Sequence, residues 1–118
     1  MNPTLKKEIT KIFFQTFSDL KDQGKLEIFI KDFLTEEEMD MLTKRLGIIY
    51  WLRKKRGIEN IMENLKVSEG DIVEAAKMME KDGIKAAIKN LEAEEWANVW
   101  AEKINAFRPR HKKLGTSR

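Results

Sequence analysis

An all-α fold is predicted for this chain, and three observations carry the prediction. Apolar residues recur three and four positions apart along most of the chain, and no stretch alternates every second residue as a half-buried strand would. Only two prolines occur, Pro3 and Pro109, both near the termini, so the interior holds no obligate helix breaker. Serine, threonine and glycine stand where the apolar period breaks, which is where helix caps and stops belong. With no internal repeat and no long linker, residues 1–107 are expected to form a single all-helical domain. Residues 108–118 are expected to form a basic, disordered tail around Arg108, Arg110, Lys112, Lys113 and Arg118.

The first helix is expected to be capped by Thr4. It carries Leu5, Ile9, Ile12, Phe13, Phe17 and Leu20 on one stripe and ends at Gly24. Leu26, Phe29, Ile30 and Phe33 mark a second helix. Thr35 followed by Glu38 has the spacing of a capping box, so a third helix begins near Glu36, its acidic first turn matching the positive end of the helix dipole. This helix is apolar on two sides, with Met39, Leu42, Leu46, Ile49 and Tyr50 on one and Ile48, Trp51 and Leu52 on the other. That pattern marks a central helix. Its C-terminus is the basic run Arg53-Lys54-Lys55-Arg56, and Gly57 is expected to stop it.

A short fourth helix follows from Ile58, Ile61, Met62 and Leu65. After Lys66-Val67, Ser68 is the expected N-cap of the next helix, whose inner face is Ile72, Ala75, Ala76 and Met79 and which ends near Gly83. Ile84, Ala87, Ile88 and Leu91 read as another short helix, and Trp96, Val99, Trp100 and Ile104 as the last. Tryptophans at i and i+4 are expected to anchor a core or a dimer interface.

Composition narrows the function. The chain has 118 residues, 42% hydrophobic and 36% charged, so much of it must be surface, and thin cores of this kind are often completed by dimerisation. A net charge of +3 permits nucleic-acid binding without requiring it. The absence of cysteine removes disulfides, thiolate metal sites and cysteine nucleophiles. His111, the only histidine, lies in the tail, and no glycine-rich phosphate loop is present. An enzyme, a metal site and a bound cofactor are therefore not expected. The apolar run Leu46 to Leu52 is too short to cross a bilayer, and no apolar signal core opens the chain. A cytoplasmic protein without membrane attachment is expected.

The pattern with functional content spans about residues 58–82: a short helix, a tight break and a second helix. This is the layout of a helix-turn-helix, in which a short turn fixes the second helix so that its N-terminal residues enter the major groove. Pattern alone also fits an ordinary helical hairpin. Ile61, Leu65, Val67, Ile72 and Ala76 would form the small core between the two helices. The candidate DNA-binding residues are Arg53, Lys54, Lys55 and Arg56 before the motif, Lys66 and Ser68 in its turn, and Lys77 and Lys81 along the second helix. Contacts of this type reach phosphates, so they position a protein more than they specify sequence.

The string DFLTEEEMDMLTKRLGIIYWLRKKRGIENIMENLKVSEGDI resembles the Trp repressor family. Leu34-Thr35, Glu38, Leu42, Lys44-Arg45-Leu46, Ile48, Leu52, Gly57, Ile61, Leu65, Val67-Ser68 and Ile72 occupy matching positions over roughly the central third of the chain. The resemblance implies a helical DNA-binding transcriptional regulator that binds duplex DNA as an interlocked homodimer. The departures are local. The family's recognition helix opens with serines and threonines followed by a basic residue, whereas Glu69, Gly70, Asp71, Val73 and Glu74 stand here. Arg45 matches one of the family's two ligand-facing arginines, but Glu74 takes the place of the other. L-tryptophan is accordingly not expected as the effector, and Arg45 is expected to pair with nearby carboxylates. The acidic edge also motivates a second reading: a helical dimerisation or protein-interaction module that has lost DNA reading.

Overall fold

The structure is a computed structural model, and it describes residues 1–106. Six α-helices account for nearly all of them: α1 (Pro3–Asp19), α2 (Gln23–Phe33), α3 (Glu36–Arg53), α4 (Ile58–Leu65), α5 (Glu69–Met78) and α6 (Asp82–Ala106). No strand occurs among the described residues. The chain divides into two compact units, Met1–Leu46 and the residues from Gly47 onward.

In the first unit, α1 is capped by Asn2 rather than Thr4. The Asn2 side chain accepts from the Thr4 and Leu5 N–H groups, and Pro3 occupies the first helical position, where its missing N–H costs nothing. The helix ends at Asp19, short of Gly24. Asp22 then caps α2 by accepting from Gly24 N–H at 2.8 Å, so Gly24 opens the second helix instead of closing the first. Four phenylalanines join the two helices. Phe13 and Phe17 lie 5.0 Å apart, Phe17 and Phe29 meet edge-to-face at 5.9 Å, and Phe29 and Phe33 stack at 5.1 Å. No residue of this unit is fully buried, and Leu5, Ile9, Ile12, Phe13, Phe14 and Ile28 are exposed. The expected capping box at the start of α3 is formed: Glu38 N–H donates to Thr35 Oγ1 at 3.0 Å, and Thr35 N–H donates to Glu38 Oε1 at 2.9 Å.

The second unit holds the core. Ile48 and Ile49 from the end of α3, Ile61 from α4, Ile72 and Ala75 from α5 and Ile88 from α6 are buried, with Trp51, Leu52, Leu65, Val67, Met79 and Ile84 packed around them. Gly47 faces Leu65, and a Cβ there would stand 3.3 Å from Leu65 Cδ1, so the glycine permits a close approach. Gly57 does not stop α3. The helix ends at Arg53, Lys55 turns left-handed at φ 63°, and the Arg56 and Lys55 N–H groups close back on the Trp51 and Leu52 carbonyls. Gly57 is the N-cap of α4.

The two helices read between Ile84 and Ile104 are one, α6, of 25 residues. The segment joining them, Asn90-Leu91-Glu92-Ala93-Glu94-Glu95, contains no residue that would break a helix. Gly83 lies in its first turn rather than at the end of α5. Among the described residues, Ile84 and Ile88 in the N-terminal half of α6 pack in the core, whereas Trp96, Val99 and Ile104 are exposed. The side chain of Trp100 and the basic tail lie outside what the structure describes. No helix among the described residues is long and apolar enough to cross a membrane.

Candidate nucleic-acid interface

The α4–turn–α5 unit is built from local sequence. α4 carries Ile61 fully buried, with Met62 and Leu65 half-buried beside it. Lys66 ends the helix in the left-handed conformation, at φ 57° and ψ 52°, and its N–H and that of Val67 both return to the Met62 carbonyl. A left-handed residue reverses the chain within one position, so only three residues, Lys66, Val67 and Ser68, separate α4 from α5. Ser68 caps α5 as expected. Its hydroxyl accepts from Asp71 N–H at 3.1 Å, and the Asp71 carboxylate accepts from Ser68 N–H at 3.0 Å. This second capping box has the same i, i+3 spacing as Thr35 and Glu38, a signal that the sequence carries but that the charge of Asp71, taken alone, conceals.

The acidic edge of α5 is thus partly accounted for within the chain. Asp71 serves the cap, and Glu74 accepts from Lys77 Nζ at 3.0 Å on the open surface. Glu69 remains beside them, near Gly57, Ile58 and Asn60.

The basic residues divide into three groups. Arg53 and Lys54 are tied to α6: Arg53 donates to both Glu92 oxygens, at 2.9 and 3.5 Å, and Lys54 donates to Glu95. Hydrogen bonding to Glu92 holds the Arg53 guanidinium above its ordinary value, and hydrogen bonding to Glu95 does the same for Lys54. Glu95 is held below the usual glutamate value, first by Lys54 and then by the Tyr50 hydroxyl, which Glu95 in turn pushes up. Arg56 and Lys77 form the second group, engaged but open. The Arg56 guanidinium lies 4.1 Å from the Trp51 ring centroid and reaches Asn60 at 3.5 Å. Lys55, Lys66 and Lys81 form the third: their side chains are exposed and make no hydrogen bond or ion pair among the described residues.

Arg45 is exposed and pairs with no carboxylate among the described residues, contrary to the expectation. Its neighbours one turn away, Met41, Leu42, Ile48 and Ile49, are apolar, whereas Lys44 finds Asp40 at 3.1 Å. No group of acidic or histidine side chains suited to a metal ion occurs among the described residues.

The described residues thus form six helices, with a short helix–turn–helix whose cap is satisfied and with exposed lysines beside it, a layout suited to a helical DNA-binding regulator. A family model described as Trp repressor protein matches residues 8–92, and the chain belongs to that family, whose members are regulators rather than enzymes. No significant match is found among curated proteins or among solved structures.

Proposed function

We propose that the protein is a transcriptional regulator that binds duplex DNA as a homodimer, with α5 entering the major groove. The single observation that carries this reading is the α4–α5 unit, in which Lys66 and Ser68 shape the turn and the cap as a helix-turn-helix requires. Lys55, Lys66 and Lys81 supply phosphate contacts, with Arg56, Ser68 and Lys77 beside them. Arg53 and Lys54 contribute only where phosphate displaces Glu92 and Glu95. A dimer is supported by the apolar surface left on α1, α2 and the second half of α6, which the monomer does not bury. L-tryptophan is not the effector in this reading, because Glu74 and its ion pair with Lys77 stand where the family has a ligand-facing arginine. The protein-interaction alternative loses part of its motive, since Asp71 and Glu74 are already engaged.

Gel shifts over a salt series, run beside sedimentation of the same protein, test the proposal. A dimer that shifts duplex DNA, with log K falling steeply against log salt, is expected. A folded dimer that shifts no duplex at low salt would refute it. Calorimetric titration with L-tryptophan is expected to show no binding.

A further inference from the structure

α5 carries one large apolar side chain that its own fold leaves exposed, Val73. Ile72 and Ala75, 3% and 2% exposed, set the direction in which the helix faces the core. At 3.6 residues per turn, Gly70 and Lys77 lie opposite that direction, flanked by Val73 and Glu74. Val73 is 49% exposed and is not among the residues packed on the core. A β-branched residue is a mediocre helix former, and at this position only partial burial offsets the loss.

The surroundings of Val73 fit a groove surface better than the number of acids implies. Asp71 accepts Ser68 N–H and Glu74 accepts Lys77 Nζ, so two of the neighbouring carboxylates act within the chain. Gly70 is not required by packing, since a Cβ there would meet nothing closer than Ser68 Oγ at 3.7 Å. Its effect is to leave bare backbone one turn before Val73, where a base edge can come close.

Resting on the reading of α5 as the groove-entering helix, we infer that Val73 is a specificity-determining residue that packs on the 5-methyl group of thymine. That methyl is the one apolar group on the major-groove edge of the bases, and an isopropyl side chain has no hydrogen-bonding alternative to offer. Contact with it separates thymine from cytosine without any charged reader, which is what the composition of α5 leaves available. Gly70 admits the backbone close enough for a side chain as short as valine to reach.

The experiment uses the full chain and a randomised duplex library at low salt. The enriched duplex is then synthesised with deoxyuridine in place of thymidine at each enriched position, which removes only the methyl. Wild type and Val73→Ala are both titrated, and circular dichroism confirms equal helicity. Wild type is expected to enrich thymine at one position in each half-site and to lose about fourfold in affinity per methyl removed there. Val73→Ala is expected to bind the two duplexes equally. Equal wild-type affinity for the thymine and uracil duplexes overturns the inference, as does the same weakening in both proteins. If wild type retains no duplex at all, the DNA-binding reading falls with it; if it retains duplex without a uracil effect, only the Val73 assignment falls.

Discussion

Replacing Lys66 with glycine should strengthen the fold and weaken DNA binding at once. Lys66 sits at φ 57° and ψ 52°, where an L residue brings its Cβ close to the following carbonyl at a cost of roughly 1–2 kcal/mol. Glycine removes that clash but gains conformational freedom in the unfolded chain, a loss of roughly 0.5–1 kcal/mol. The difference leaves Lys66→Gly more stable by about 0.5–1 kcal/mol. With a urea dependence of about 1–3 kcal/mol per M, the midpoint should rise by a few tenths of a molar. Urea titrations followed by helix circular dichroism measure it, at matched protein concentration because dimer dissociation shifts apparent stability. Lys66→Ala is the control: it removes the same ammonium but keeps the backbone clash, so it should gain no comparable stability. Both variants should bind DNA more weakly on every sequence, with the salt slope shallower by about 1 for each phosphate no longer neutralised. Lys66→Gly unfolding at lower urea than Lys66→Ala would refute the backbone argument. Unchanged DNA affinity in both would remove Lys66 from the interface.

Three further outcomes follow from the same structure. Ile61 is fully buried where α4 meets the core; Ile61→Ala should cost about 2–5 kcal/mol, read from the unfolding midpoint. Ser68→Ala removes the hydroxyl half of the α5 capping box and should cost about 1 kcal/mol, with Ser68→Asp recovering most of it. Glu95 is held below its ordinary value of 4.5 by Lys54 and then Tyr50, so its interaction with them contributes stability above that value and loses it as pH falls through the lower folded value. Lys54 and Tyr50 are pushed up from 10.5 and 10.0, so the same interaction fades again as pH climbs past their raised values. Glu95→Gln should therefore flatten both limbs of the stability profile slightly, the effect being small on an exposed surface; an unchanged acid limb would contradict the assignment.

The parts of the fold that are legible in the sequence are local. Thr35 with Glu38 and Ser68 as an N-cap are readable because a cap is decided within three or four residues, and the structure forms both. Glycine is the misleading sign. Gly24, Gly57 and Gly83 are each expected from the sequence to end a helix, yet each stands at the start of one. No described glycine has positive φ; the left-handed positions belong to Lys55 and Lys66. The sequence holds no cue for that, because a left-handed lysine is tolerated only when the helices on either side are fixed by packing. Asp71 misleads for a different reason: its spacing from Ser68 announces a capping box, but its charge draws attention to the groove.

The basic run shows why a candidate site is harder to read than a helix. Arg53-Lys54-Lys55-Arg56 looks like one electrostatic unit, but the fold gives each cation different work. The acids that claim Arg53 and Lys54 lie 39 and 41 residues further along the chain, beyond any local pattern. Arg56 turns back over Trp51, and Lys55 lends its backbone to the end of α3 while its ammonium makes no ion pair among the described residues. Exposed pairs such as Arg53–Glu92 are weak enough for phosphate to compete with. Yet each exchange releases a carboxylate beside the DNA, which offsets part of the attraction gained. Charge counted along the sequence therefore overstates what this run can give a duplex. In the proposed DNA-binding reading the larger share therefore falls to Lys66 in the α4–α5 turn, with Lys55 before α4 and Lys81 after α5, which make no ion pair among the described residues.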